Sequence, residues 1–367
     1  MRHNSHRDSA QDHSKLLGLE FLRGCFAFAV VVWHFQHFYA SSSPISGVFT
    51  EPSNRFPLDN VLWPAYQYGH YGVEFFWALS GFIFAYRYRD AIVTGSLRLG
   101  RFTMQRLRRI GPVHYLSLIL VAGLQPIVEY HYGRPFVYAN NDIYHLLLNI
   151  LGASAWGLER GYSFNGPFWS VSTEIPIYLF FFLLTLRFDM SKWWYFFLLS
   201  LIMKSSGIGG AISECLCYFA MGVLVQNSKF VKLKPTRTQQ ALFWGILILS
   251  GVGIHLTTHG LRGLFMLLVV SSLLIVFGGK SNSHWTTKPL AGFVSTWLGR
   301  LSYPVYLVHF PVQLLIVLLV GGSTKFHDLS PAGLLTVYVT LTVLLAYLIF
   351  RYIEQPIQAL AKRQNDL

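Results

Sequence analysis

Arg23 and His34 interrupt one apolar run, residues 16–39, and they lie eleven positions apart. In an α-helix eleven residues make about three turns, so both side chains would lie on one face, about 16 Å apart along the axis. A neutral histidine accepts a proton from a hydroxyl group and suits general-base catalysis at neutral pH. An arginine at membrane depth is energetically costly. The pair therefore predicts a polar site among helices, unless a neighbouring helix simply satisfies both side chains.

Glu174 is a candidate partner for His34, because it lies about one turn inside another apolar segment and at a similar predicted depth. A carboxylate beside a histidine orients the ring and raises its basicity. The structural alternative for Glu174 is a helix-capping network with nearby serines. Five other residues are predicted to line the site: Glu74, Trp169, Ser170, Ser172 and His309. For His309, helix packing and direct catalysis are the alternatives. His37 is predicted to lie at the membrane interface, and Glu214 to form a hydrogen bond between helices.

Arginines gather at the start of the third apolar segment. Arg106 and Arg109 lie three residues apart and share a helix face, with Arg108 beside them; these three are called the arginine cluster. A guanidinium binds phosphate through two parallel hydrogen bonds. The cluster predicts either a site for a phosphorylated ligand or a basic anchor that meets anionic lipid headgroups.

The composition indicates a multi-pass membrane protein. Of 367 residues, 53% are hydrophobic and only 12% are charged, whereas a soluble domain has about 25% charged residues. The net charge of +13 does not indicate nucleic-acid binding, because the Lys and Arg residues flank apolar segments, as membrane topology requires. The three cysteines lie in apolar stretches and are interpreted as core residues, and no metal site is expected.

The apolar segments predict an all-α integral membrane protein, a bundle of about ten transmembrane helices: 17–39, 71–89, 112–131, 168–187, 193–207, 211–226, 241–256, 261–279, 297–320 and 332–352. A shorter stretch, 143–157, is predicted to be a re-entrant or interfacial helix. With both termini in the cytoplasm, most Lys and Arg residues fall in the inner segments. The predicted organisation is a flexible cytoplasmic tail over 1–15, a transmembrane domain over 16–353 and a cytoplasmic C-terminal tail over 354–367.

Six sequence blocks resemble, in this order, those of the membrane acyltransferase 3 family, which includes O-acetylases of O-antigen, exopolysaccharide and peptidoglycan. The blocks are Leu19–Gly24 with His34, Gly72–Phe82, Arg106–Pro112, Trp169–Glu174, Leu298–His309 and Glu354–Pro356. At two positions near the site the chain departs from the family's usual sequence pattern. Gln105 stands where many members have arginine, and Pro176 interrupts the helix just after Glu174, where a kink is expected.

The resemblance implies a membrane-bound O-acyltransferase, an enzyme that transfers groups other than aminoacyl groups. The donor would be acetyl-coenzyme A or a related thioester, bound from the cytoplasm with the arginine cluster at its phosphates. His34 would act as general base, or would briefly accept the acyl group, with Glu174 orienting it. Arg23 would contact the coenzyme or the oxyanion. The acceptor would be a hydroxyl of a cell-surface or lipid-linked carbohydrate, at the outer face of a bacterial cytoplasmic membrane.

Two other classes of protein would use the same residues differently. A transporter or flippase of a lipid-linked sugar would use the polar residues as a path and would need no chemistry, although no inverted repeat is visible. A membrane scaffold would leave Arg23, His34 and Glu174 without a purpose. Acyl transfer is therefore the favoured function.

Overall fold

The computed structural model describes residues 16–39, 56–232, 236–256, 259–278, 289–321, 326 and 329–365. Within these ranges the chain is helical and has no strands, as the sequence predicts. The α-helices are α1 (Leu17–His34), α2 (Asp59–Tyr68), α3 (Gly72–Arg87), α4 (Arg89–Val93), α5 (Leu99–Tyr132), α6 (Ile143–Ile150), α7 (Trp169–Arg187), α8 (Trp193–Ser205), α9 (Gly210–Asn227), α10 (Lys229–Lys232), α11 (Arg237–Leu256), α12 (His259–Gly278), α13 (Pro289–Val320), α14 (Pro331–Ile349) and α15 (Gln355–Asn365). Short turns join some of them: the 3₁₀ turns Phe35–Phe38, Gly69–Tyr71, Gly166–Phe168 and Met190–Lys192, and the π-helical turn Phe350–Glu354. The predicted tail over 1–15 lies outside the described residues.

Among the described residues, seven helical segments are long and apolar enough to cross a membrane: Leu17–Phe38, Leu99–Tyr132, Gly166–Arg187, Thr238–Leu256, Leu261–Gly278, Leu290–Val320 and Pro331–Leu360. They indicate an integral, multi-pass membrane protein. Three of the predicted spans correspond to α3, α8 and α9, which do not belong to this set. The 13 residues of α8 rise only about 20 Å, less than the hydrocarbon core of about 30 Å. The count of ten spans and the cytoplasmic position of both termini therefore stay predictions.

The stretch predicted as a re-entrant or interfacial helix contains α6, which has 8 residues. A helix of that length rises about 12 Å, too little to cross a membrane. Asp142 caps its N-terminus, since its Oδ1 atom accepts hydrogen bonds from the backbone N–H and the Nδ1 atom of His145, at 2.9 and 2.7 Å. The backbone bond first, and then the imidazole bond, lower the pKa of the Asp142 carboxyl group below its ordinary value. The start of this helix is therefore defined by a local capping interaction.

The chain forms two compact units, each assembled from segments that are distant in the sequence. The first unit comprises the described parts of Met1–Cys25, Val73–Arg98 and Pro176–Arg300, and the second those of Phe26–Gly72, Leu99–Ile175 and Leu301–Leu367. The apolar core of the second unit includes four aromatic side chains that are almost completely buried, Phe35, Phe38, Phe310 and Tyr338. Their burial holds the end of α1 against α13 and α14.

In the first unit, glycine lets α3 and α9 pack with their backbones in close contact. A Cβ atom at Gly81 would overlap the carbonyl oxygen of Phe219, and one at Gly222 would overlap that of Ala78. Small residues at such crossings are typical of membrane helices. Gly81 and Gly222 therefore have a packing role in this unit.

The first unit also contains an ion pair between two helices. Lys204 at the end of α8 donates a hydrogen bond to Glu214 on α9. The Lys204 ammonium lies 5.0 Å from the centroid of the Tyr218 ring, within the range of a cation–π interaction. Glu214 thus bonds between helices, as the sequence predicts.

Pro176 lies inside α7 without ending it, in agreement with the continuous span predicted over 168–187, and the expected kink stays a prediction. Proline has no N–H, so the carbonyl group of Ser172, four residues earlier, loses its helical partner. The indole N–H of Trp156 donates to that carbonyl oxygen at 2.9 Å. A side chain thus replaces the lost backbone hydrogen bond, and the helix continues to Arg187.

Candidate functional site

His34 is the last residue of α1 and is buried in the second unit. Its Nδ1 atom lies 2.8 Å from the carbonyl oxygen of Val30, one turn earlier. A carbonyl oxygen can only accept, so Nδ1 donates the proton and Nε2 of the neutral ring holds a lone pair. The helix itself therefore selects the tautomer that a general base needs.

Two other histidines pack against His34. The ring centroids of His37 and His309 lie 4.9 and 4.5 Å from that of His34. The His37 side chain is buried inside the protein, with only 4% exposed, and its position at the membrane interface stays a prediction. Gln313 gives the buried His37 side chain a hydrogen-bond partner, since His37 Nδ1 donates to Gln313 Oε1 at 3.0 Å. Gln313 Nε2 in turn donates to the His34 carbonyl oxygen at 2.7 Å.

One face of α13 presents polar side chains to several predicted site residues of the second unit. Four residues form it, within about 120° of arc and over about 15 Å of the helix axis: Tyr303, Tyr306, His309 and Gln313. The Tyr303 ring centroid lies 5.7 Å from the guanidinium carbon of Arg109. The Tyr306 hydroxyl lies 2.6 Å from Ser170 Oγ, and the last two residues contact His34 as described above. We call this surface the α13 polar face.

The Trp169–Glu174 segment forms the first turns of α7. Ser172 Oγ donates to the carbonyl oxygen of Gly152 at 2.8 Å and accepts from the backbone N–H of Ala155 at 3.2 Å. Ser172 therefore holds the loop before α7, which is a structural role. Trp169 is half-buried, with its ring centroid 6.1 Å from that of Tyr162.

Glu174 is buried in the second unit, within electrostatic range of Tyr303. None of the contacts that the structure shows for His34 is to Glu174, and the group that bonds to His34 Nδ1 is the Val30 carbonyl. The Val30 carbonyl therefore already fixes the orientation of the His34 ring at Nδ1. A direct pairing of Glu174 with His34 stays a prediction.

The arginine cluster lies on α5 with all three side chains half-buried. Arg109 forms an ion pair with Glu354, which is completely buried at the end of the π-helical turn. Gln358 on α15 donates to the same carboxylate, at 2.8 Å from Glu354 Oε1. The predicted C-terminal tail therefore begins with a buried anchor and continues as a helix.

Tyr138 lies in the loop before α6 and contributes an aromatic ring beside the histidines. Its centroid is 5.9 Å from that of His37 and 4.6 Å from that of Phe310. Burial raises the pKa of the Tyr138 hydroxyl well above its usual range, and Tyr162 and Tyr306 add to this effect. Tyr138 therefore stays neutral at physiological pH.

Arg23 and Glu74 belong to the first unit. Arg23 forms an ion pair with Glu20, three residues earlier, at 2.9 Å. Glu74 is 9% exposed, and its Oε2 atom has no hydrogen-bond partner among the described residues. The catalytic role of Arg23 and the site-lining role of Glu74 stay predictions.

Two residues that organise the second unit, Gln313 and Asn165, were not among the residues predicted from the sequence. Gln313 could have been found, because the spacing of Tyr303, Tyr306, His309 and Gln313 places polar groups on one face of an otherwise apolar helix. Asn165 carried no comparable signal. Its partners come from α5 and α13, which only the packing of the helices brings together.

Asn165 satisfies a carbonyl group that a proline leaves without a partner. Pro311 cannot donate to the carbonyl of Leu307, and Asn165 Nδ2 donates to that oxygen at 2.9 Å and to Ser117 Oγ at 2.8 Å. We expect Asn165→Leu to lower the free energy of unfolding by about 1–3 kcal/mol, because a buried acceptor is left unpaired. Thermal unfolding of the detergent-solubilised protein measures this.

The matched control is Asn140→Leu, since the amide of Asn140 makes longer hydrogen bonds of 3.3 and 3.4 Å at the surface. We expect the control to change the unfolding temperature by much less. Equal shifts for the two variants would contradict the assignment of Asn165.

Within the described residues, no group of three or more His, Cys, Asp or Glu side chains could hold a metal ion. The three packed imidazoles are thus not arranged as a ligand set. Their arrangement suits proton transfer and hydrogen bonding, for which His34 already has a defined tautomer.

Comparisons with known proteins show the family. Three Staphylococcus aureus proteins, from strains COL, MSSA476 and MRSA252 and each named "Putative O-acetyltransferase", are 24% identical to this chain over 333 residues, covering 78% of this chain and 52% of each relative. The chain thus spans about half the length of these relatives. No solved structure matches it significantly. The acyltransferase 3 family model, described as an acyltransferase domain, matches residues 16–351. The chain therefore belongs to the acyltransferase 3 family, and residues 16–351 form an acyltransferase domain.

Proposed function

We propose that this protein is a membrane-bound O-acyltransferase. It moves an acyl group, acetyl in the simplest case, from a cytoplasmic thioester donor such as acetyl-coenzyme A to a hydroxyl of a cell-surface or lipid-linked carbohydrate. The observation that carries the proposal is the hydrogen bond from His34 Nδ1 to Val30, which leaves a basic Nε2 atom inside an acyltransferase domain. The printed names of the relatives support O-acetyl transfer in particular.

In the proposed reaction the acceptor oxygen attacks the carbonyl carbon of the thioester while His34 Nε2 takes the hydroxyl proton. The tetrahedral intermediate then collapses, the C–S bond breaks, and the thiolate leaving group takes the proton from His34. The imidazole returns to its starting state. An acyl-histidine intermediate would use the same lone pair, with His34 as nucleophile.

The donor's phosphates are proposed to bind at the arginine cluster. A guanidinium has five N–H donors, so Arg109 can hold Glu354 and still contact a phosphate oxygen, while Arg106 and Arg108 supply further charge. Glu174 is proposed to act on His34 in the loaded enzyme, since catalytic contacts often tighten only when substrates are bound. Ser170 and Trp169 are proposed to line the acceptor side.

The proposed topology has ten spans with both termini in the cytoplasm. The distribution of Lys and Arg residues supports it. It places the donor on the inner side and the carbohydrate on the outer side of a bacterial cytoplasmic membrane, in accord with relatives that come from a bacterium.

Reconstituted vesicles test the proposal. Purified full-length protein is supplied with acetyl-coenzyme A labelled in the acetyl group and with a panel of bacterial surface glycans and lipid-linked sugars. We expect label to appear in one class of glycan as an alkali-labile ester. Movement of a glycan across the vesicle membrane without any transfer of label would favour the transporter alternative and would refute acyl transfer.

A further inference from the structure

His309 lies on the α13 polar face and is completely buried. Neither of its ring nitrogens makes a hydrogen bond of ordinary geometry with a described residue, since the carbonyl groups of Val305 and Tyr306, one turn earlier, are close but outside that geometry. An imidazole carries at least one N–H in either protonation state. His309 therefore always has a donor to offer, and a buried donor without an acceptor is unfavourable.

The N–H donor of His309 lies close to His34, the proposed general base. The ring centroids of His309 and His34 are 4.5 Å apart, with the ring planes tilted by 49°. His34 Nδ1 is engaged by Val30, so the reactive nitrogen of His34 is Nε2. A small group in contact with one of the two rings is within reach of the other.

Several neighbouring donors in this part of the second unit are already engaged. His34 Nδ1 donates to the Val30 carbonyl, and His37 Nδ1 donates to Gln313 Oε1. Gln313 Nε2 donates to the His34 carbonyl, and the Tyr306 hydroxyl donates to the Pro167 carbonyl at 2.9 Å. Among these described neighbours, His309 has the N–H that remains to be used. Arg23, the candidate from the sequence for binding an oxyanion, forms its ion pair with Glu20 in the first unit.

We propose that His309 is a second catalytic residue, whose ring N–H donates to the thioester carbonyl oxygen as that oxygen becomes negatively charged. This assignment rests on the proposed function. When the acceptor oxygen forms its bond to the carbonyl carbon, the hydroxyl proton moves to His34 Nε2 and the carbonyl π electrons move to the oxygen. That oxygen accepts a hydrogen bond from His309, and no proton is transferred. When the carbonyl re-forms, the C–S bond breaks and His34 protonates the thiolate.

The test separates donation of a hydrogen bond from transfer of a proton. His309→Gln keeps an N–H donor of similar reach but cannot act as a base, and His309→Leu removes the donor. We expect His309→Leu to lower kcat by about 100- to 1,000-fold, the loss typical of one oxyanion donor, with the KM for acetyl-coenzyme A nearly unchanged. We expect His309→Gln to stay within about tenfold of wild type and to keep the wild-type pH profile of kcat.

The matched control is His114, a buried histidine on α5 that donates to the Asn149 carbonyl at 2.9 Å and stacks on Phe168. His114→Gln and His114→Leu should leave kcat per folded molecule unchanged. The folded fraction of every variant is measured by size-exclusion chromatography and by equilibrium binding of acetyl-coenzyme A, so a folding defect is not counted as lost catalysis.

Three results would overturn the assignment. Equal losses of kcat in His309→Gln and His309→Leu would show that His309 transfers a proton, and a wild-type kcat in His309→Leu would show that it only packs. Both leave the proposed function intact, because wild type still transfers label. Absence of transfer by wild-type protein would instead remove the proposed function, and the role of His309 with it.

Discussion

Replacing His34 with alanine is expected to lower the rate of acyl transfer by about 1,000-fold and to leave the protein folded. A positioned general base contributes about 100- to 10,000-fold to a reaction, and His34 has the tautomer for this role because its Nδ1 atom donates to Val30. The Val30 carbonyl keeps its helical partner when the imidazole is removed, so the cost in stability should be small. The measurement is the initial rate of label transfer in vesicles, per folded molecule.

The control for His34→Ala is His131→Ala, an exposed histidine at the end of α5. It should change the rate by less than about twofold, as expected for an exposed residue outside the site. A rate for His34→Ala equal to that of wild type would show that the base is another residue. Incubating wild-type protein with labelled donor and no acceptor distinguishes the two routes, since label retained on the protein indicates an acyl-histidine and its absence indicates direct transfer.

Replacing Arg109 with leucine is expected to lower the free energy of unfolding by about 3–5 kcal/mol, because it leaves the Glu354 carboxylate buried without its ionic partner. Glu354 is completely buried, and its ion pair with Arg109 joins α5 to the start of α15. The measurement is thermal or denaturant unfolding of the detergent-solubilised protein, followed by the loss of helical circular dichroism.

The double variant Arg109→Leu/Glu354→Leu shows how the stability lost with the whole ion pair compares with the stability lost with one partner. A buried ion pair that is replaced by apolar groups often costs little, whereas a single unpaired charge costs much. We therefore expect the double variant to be more stable than Arg109→Leu alone. A double variant that is as unstable as the sum of the two single variants would show that the two side chains contribute independently. Arg87→Leu, an exposed arginine at the end of α3, is the matched control.

The ion pair also bears on how the arginine cluster works. Arg109 is partly neutralised by Glu354, and its guanidinium carbon lies 5.7 Å from the centroid of the Tyr303 ring. An arginine held in this way has little side-chain freedom left to lose when a ligand binds. The proposed phosphate contact would therefore be preorganised, with Glu354 positioning the Arg109 guanidinium.

The sequence by itself determined the class of structure and the family. Long apolar segments with few charges form membrane helices because a helix satisfies its own backbone hydrogen bonds in lipid, and seven such segments are present among the described residues. The ordered blocks around His34, Arg106 and Glu174 indicated an acyltransferase 3 protein, and the family match over residues 16–351 confirms it. These conclusions need only local composition and order along the chain.

Only the tertiary structure decided which side chains meet. Gln313 bonds to His37 across 276 positions, and Asn165 bonds to the Leu307 carbonyl across 142. Local periodicity shows which face of a helix is polar, but the partner of that face depends on how distant helices pack. For this reason the sequence could not show that the neighbours of His34 include the Val30 carbonyl and two further imidazoles, or that Arg109 forms an ion pair with the buried Glu354.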